Sequence, residues 1–76
     1  MNNNRRDRLN EIIEQINTLK NDLEDLLSEE RDSYEKLSEN FQLSEKGEKM
    51  DAAINNMETA SNYLDKTMNE IKKAKG

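Results

Sequence analysis

From Leu9 to Leu26 the apolar side chains come back every three or four residues. Leu9, Ile16 and Leu23 stand seven apart, in a column that can be called a. Ile12, Leu19 and Leu26 form a second column, d, and Ile13, Leu27 and Tyr34 add a flank at e. A seven-residue repeat of this kind commits the chain to an α-helix with one apolar stripe, and another helix must cover that stripe. The e column makes it wider than the seam of a two-stranded coiled coil, which suits a bundle. Charged and polar residues such as Glu11, Glu14, Asn17, Lys20 and Glu24 fall outside the stripe.

The repeat weakens where Glu30 and Ser33 take would-be core positions. Both are expected to face solvent, because burying an unpaired charge is costly. It then stops within Leu37–Gly47, L-S-E-N-F-Q-L-S-E-K-G. Ser38 and Asn40 are read as ending the first helix. Ser44 is a good N-cap for the second, with Glu45 in a first turn that favours negative charge. Phe41 and Leu43 are placed to close the end of the core. Beyond the corner a new repeat begins: Met50, Met57, Leu64 and Ile71 at a, Ala53, Ala60, Thr67 and Ala74 at d, and Ile54, Ser61 and Met68 at e. Its side chains are smaller, so that large residues can interdigitate with small ones across a close helix pair. The methionines read as soft core filling. Lys72, Lys73 and Lys75 suit a helix C-terminus.

The expected fold is all-α: an antiparallel, coiled-coil-like two-helix hairpin. Residues 1–4 form a frayed lead, and residues 5–76 form one domain with a helix over 5–37, a corner over 38–44 and a helix over 45–74. The first helix would be roughly 50 Å long. A lone hairpin leaves part of each stripe wet. Two hairpins are therefore expected to pair as a homodimeric four-helix bundle. The oligomer core would draw on Leu9, Ile12, Ile16, Leu19, Leu23 and Leu26, with Met50, Ile54, Met57, Leu64 and Ile71. A single hairpin docked on another protein is the competing arrangement.

Composition resembles that of a disordered chain or of a helical, coiled-coil-like one, and the periodicity decides for helix. Charged residues make up 38% of the 76 residues and apolar ones 32%, but there is no Pro and Gly occurs only twice. Disordered chains are usually richer in both. The absence of Cys and His excludes disulfides, zinc fingers and Cys- or His-based nucleophilic sites. No apolar run approaches the roughly 20 residues that span a bilayer. Met1–Arg6 carry charge with no apolar run behind them, so no signal peptide is expected and a cytoplasmic protein is the default.

The net charge of −5 disfavours nucleic acid as a partner. Its layout is more informative. Antiparallel packing would bring Arg5, Arg6 and Arg8 beside Lys66, Lys72, Lys73 and Lys75, and leave the corner end acidic. That layout serves solubility and dipole compensation, and it would also let the acidic end meet a basic surface on a partner.

No catalytic constellation emerges. The carboxylates sit on a rod without a concave, desolvated site, so no enzyme activity, small-molecule substrate or cofactor is expected. Glu45, Glu48 and Asp51 have helical spacing, but di-metal bundle sites combine inward Glu with His, and no metal is expected. Gly47 stands alone, without the companions of a phosphate loop. The residues expected to bind a protein partner are Glu29, Glu30, Asp32, Tyr34, Phe41 and Leu43. The aromatic ones could be interface anchors or intramolecular core.

The run Arg31–Met50 resembles a group of short helical proteins encoded by phages and prophages of Gram-positive bacteria. Their corner reads Tyr-x-x-Leu-Pro-Glu-x-Leu-Gln, followed by Ser-Glu-(Arg or Lys)-Gly-Glu. Tyr34, Leu37, Glu39, Gln42, Ser44, Glu45, Lys46, Gly47 and Glu48 match, while Ser38 replaces the Pro and Phe41 a Leu. The resemblance implies a small phage protein that binds, and by binding inhibits, a host or antiviral-defence protein. A second resemblance is to sporulation-regulator aspartyl-phosphatases of the Spo-zero-E type. Their Ser-Gln-x-Leu-Asp meets Gly47-Glu48-Lys49-Met50-Asp51 here, matching at Asp51 and its apolar neighbour. It implies a regulator acting on a phosphorylated response regulator. A purely structural, self-assembling helical module is the remaining alternative.

Overall fold

The computed structural model covers residues 1–76. Three helices follow one another: α1 (Asn3–Glu35), α2 (Glu39–Gln42) and α3 (Glu45–Lys75). α1 and α3 run antiparallel, with Arg6 reaching Lys75 at one end and Arg31 reaching Glu58 near the other. α2 is a single turn at the corner. The rod measures 58 × 15 × 12 Å, and its radius of gyration is 17.3 Å. A compact chain of this length would have about 11 Å. No helix is long and apolar enough to cross a membrane.

The N-terminus is tighter than the expected frayed lead. The Asn2 side chain accepts a hydrogen bond from the Arg5 N–H at 2.9 Å, so helix begins at Asn3. α1 ends at Glu35, two residues before the expected limit, and the break falls at Lys36–Leu37. Asn40 lies within α2 and stops nothing; Ser38, extended, caps that short helix. Ser44 caps α3 as expected, and α3 runs on to Lys75.

The seam between the long helices is built from columns a and e. Leu9, Ile13, Ile16, Leu23, Leu27 and Tyr34 of α1 turn toward Met50, Ile54, Met57, Leu64, Met68 and Ile71 of α3. Only Leu27, Ile54 and Met68 among these seam side chains are buried; the other seam side chains are half-buried. Burying one such side chain fully stabilises by about 1.5–3 kcal/mol, so this core is thin for a chain that must fix two long helices.

Column d does not join the seam. Ile12 is 42%, Leu19 61% and Leu26 57% exposed. The expectation that a and d together face the partner helix is corrected in this respect. One helix covers only part of a stripe three columns wide, and the roll of α1 is decided on the far flank. There Lys20, in column e, donates to Asp65 at 2.7 Å and lies 3.5 Å from Glu24. Glu24 accepts from the Ser61 hydroxyl at 3.1 Å, Arg31 pairs with Glu58, and Lys75 with Asn10. These bonds draw the polar flanks of both helices together. The apolar d columns are thereby left on the opposite edge.

Glu30 departs from expectation as well. It is half-buried, because column a faces α3 along the whole of α1. Ser33 is exposed, as expected of it.

Candidate functional site

The corner is assembled from the ends of the two long helices. A helix leaves its last carbonyls without partners. Here the Gln42 side-chain amide donates to the Tyr34 carbonyl, in the last turn of α1, at 3.2 Å and to the Leu37 carbonyl, just beyond it, at 3.3 Å. The Leu37 N–H bonds the Tyr34 carbonyl at 3.1 Å and closes the turn. The Ser38 hydroxyl accepts from the Phe41 N–H at 3.4 Å, doing at the start of α2 what a proline would do less directly. The Ser44 hydroxyl then donates to the Phe41 carbonyl and accepts from the Gly47 N–H at 3.3 Å.

Gly47 explains why α2 can lie so close to α3. A Cβ at this position would fall on the carbonyl oxygens of Phe41 and Gln42 and 2.6 Å from the Gln42 carbonyl carbon. These contacts are backbone, which cannot swing aside, so any side chain here would push the corner off α3. Gly47 is buried although it lies in the first turn of a helix. No non-glycine residue takes a positive φ, so the corner is close-packed without backbone strain.

Phe41 and Leu43 are turned out by this construction. They are 61% and 79% exposed. They do not close the core, and that expectation is corrected: the polar bonds of Gln42 and Ser44 and the backbone at Gly47 fill the inner side of the corner. Tyr34, by contrast, is half-buried at the end of the seam.

The three acidic residues expected to bind a partner do not form one patch with these. Glu29 and Asp32 are exposed on the outer surface of α1. Glu30 turns inward and lines a groove with Lys46, Lys49 and Ala53. The residues expected in an oligomer core divide as well. Leu9, Ile16, Leu23, Met50, Ile54, Met57, Leu64 and Ile71 lie along the seam inside one chain, whereas Ile12, Leu19 and Leu26 are exposed. Asp51 is exposed on α3 and pairs with no basic side chain. No three carboxylates converge as metal ligands would, those of Glu45, Glu48 and Asp51 included.

Charge is divided along the rod. Above the level of the Glu24–Ser61 bond, residues 1–24 and 61–76 carry eight basic and seven acidic side chains; below it, residues 25–60 carry four and ten. The corner is thus the negative pole, and Phe41 and Leu43 stand at its tip. Lys20 lies near the boundary, within reach of two carboxylates. The ammonium of Lys20 is raised above the ordinary lysine value of 10.5 by its hydrogen bond to Asp65, with burial opposing and the Asp65 and Glu24 charges reinforcing.

Gln42 and Gly47 were legible in the sequence only as letters of a motif. The signal for Gly47 was its place inside an otherwise regular first helical turn, where glycine costs about 1 kcal/mol relative to alanine and so needs a reason. No family model, curated protein or solved structure matches the chain.

Proposed function

We propose that this chain is a non-catalytic protein-binding module that works as a two-chain four-helix bundle and docks its partner at the corner. The observation that carries this reading is the exposure of Phe41 and Leu43 at the acidic pole. Large apolar side chains held out on a pinned backbone lose little entropy on binding, and aromatic ones are frequent hot spots. The surrounding carboxylates, Glu39, Glu45 and Glu48 among them, select a basic protein surface and speed encounter with it. Glu29 and Asp32 extend that field along α1. Together with the resemblance at Arg31–Met50, the chemistry suits a phage-encoded inhibitor that occupies a basic site on a host or antiviral-defence protein in the host cytoplasm.

The test is capture from lysate of a Gram-positive host. Wild-type chain should retain one dominant protein. Phe41→Ala combined with Leu43→Ala should release it while helix content by circular dichroism stays unchanged. Charge reversal at Glu29 and Asp32 should weaken capture and flatten its salt dependence. Equal capture by wild type and the corner variant would sink the corner as the docking site. No retained protein would leave self-assembly as the chain's role, a reading that the exposed d column favours independently.

A further inference from the structure

The two long edges of the rod carry different chemistry, and the second edge has no use in the hairpin. Every side-chain bond between α1 and α3 lies on the edge of Asn10, Lys20, Glu24 and Arg31. On the other edge Ile12, Leu19 and Leu26 stand out from α1. The register set by Lys20–Asp65 and Glu24–Ser61 puts Leu26 level with Ala60, Leu19 with Thr67 and Ile12 with Ala74. A ridge of large side chains therefore runs beside a shelf of small ones. Around Thr67 and Ala74 the shelf forms a shallow groove of about 580 Å³, bordered by Tyr63, Lys66, Glu70 and Ile71.

We propose that this apolar edge takes a second copy of the chain, related by a two-fold axis across the middle of the rod, so that the two corners lie at opposite ends. This rests on the two-chain reading above and names the surface and orientation that it leaves open. The area argument favours a second copy. The chain exposes 5815 Å², while a compact monomer of its mass of 8.9 kDa exposes about 4800 Å². The excess of roughly 1000 Å² is close to the ~800 Å² that each partner contributes to a stable interface. Charge fixes the orientation. Stacking corner on corner would oppose two halves with four basic and ten acidic side chains each, whereas the crossed arrangement lays each acidic half on the half with eight basic and seven acidic side chains, which removes that repulsion. In that arrangement Leu19 of one copy meets Leu26 of the next, and the shelf of α3 stacks on its own twin. Column d then becomes the core of the bundle.

Sedimentation equilibrium and paired spin labels test the proposal. Wild type should sediment at twice 8.9 kDa. Leu19→Glu should sediment as a monomer, and Asn17→Glu, on the bonded edge, should stay dimeric. Because loss of the dimer by Leu19→Glu does not by itself give the orientation, orientation is measured on an intact dimer. The chain has no cysteine, so Asn40→Cys carries one label per corner. The two labels should lie at a separation near the rod length of 58 Å. A separation under about half the rod length would overturn the crossed arrangement. A wild-type dimer that Leu19→Glu leaves dimeric would overturn the assignment of the edge while leaving the two-chain reading intact. A wild-type monomer would overturn both.

Discussion

One long edge of this rod is tied and the other is open. On the tied edge Lys20, Glu24 and Arg31 of α1 meet Asp65, Ser61 and Glu58 of α3, and each polar group buried there has a partner. On the open edge Leu19 and Leu26 meet water. The two edges are made from the same two helices and differ only in which column of the repeat they present. The difference teaches that a roll of a helix about its axis can be set by polar groups even when apolar burial holds the pair together. The seam supplies the affinity of α1 for α3. The ties choose which third of α1 remains outside.

The comparison can be broken most forcefully where both edges begin, at the corner. Gly47→Ala places a methyl group against the carbonyls of Phe41 and Gln42. It should destabilise by about 3 kcal/mol or more. Urea denaturation followed by circular dichroism would show it, and a loss below about 1 kcal/mol would mean that α2 does not seat on α3. Next comes the seam. Leu27→Ala removes a buried side chain and should cost about 2–4 kcal/mol in the same experiment. An equal substitution at exposed Leu26 should cost the single chain far less, and it should weaken the dependence of unfolding on protein concentration that a two-chain bundle has and that Leu27→Ala keeps. The tied edge should respond weakly. Arg31 and Glu58 are nearly half-exposed, so Glu58→Gln should cost less than about 1 kcal/mol. A larger loss would mean that the ties hold the helices together as well as setting their roll.

The smallest effect expected is a pH dependence. The Lys20 ammonium is held above its ordinary value of 10.5 by Asp65. A raised pKa in the folded chain means that the contribution is fully present below the unfolded value and is lost as pH rises through the folded one. Melting temperature should therefore fall more steeply above about pH 10.5 in wild type than in Lys20→Met. Parallel curves for the two proteins would show that the Lys20 tie carries none of the alkaline sensitivity.

Much of this architecture was legible in the sequence. Leu9, Ile16 and Leu23 at sevens, the break at Leu37–Gly47 and the second repeat from Met50 gave two long helices, a corner and their antiparallel packing. Ser44 as an N-cap followed from local chemistry alone. The roll of α1 did not follow. Columns a, d and e are all apolar from Leu9 to Leu27, and either flank could have turned inward. The deciding pairs, Lys20 with Asp65 and Glu24 with Ser61, join residues 45 and 37 positions apart. No local pattern contains them. The outward turn of Phe41 and Leu43 was missed for a similar reason: it depends on how closely the backbone of the corner can approach Gly47, which becomes visible only once both are placed.

The one-sided ties also make opening directional. A pair of helices with polar ties along one edge parts with least resistance at the other, like the covers of a book, with Arg31–Glu58, Glu24–Ser61 and Lys20–Asp65 as the spine. The spine holds the register while the covers move.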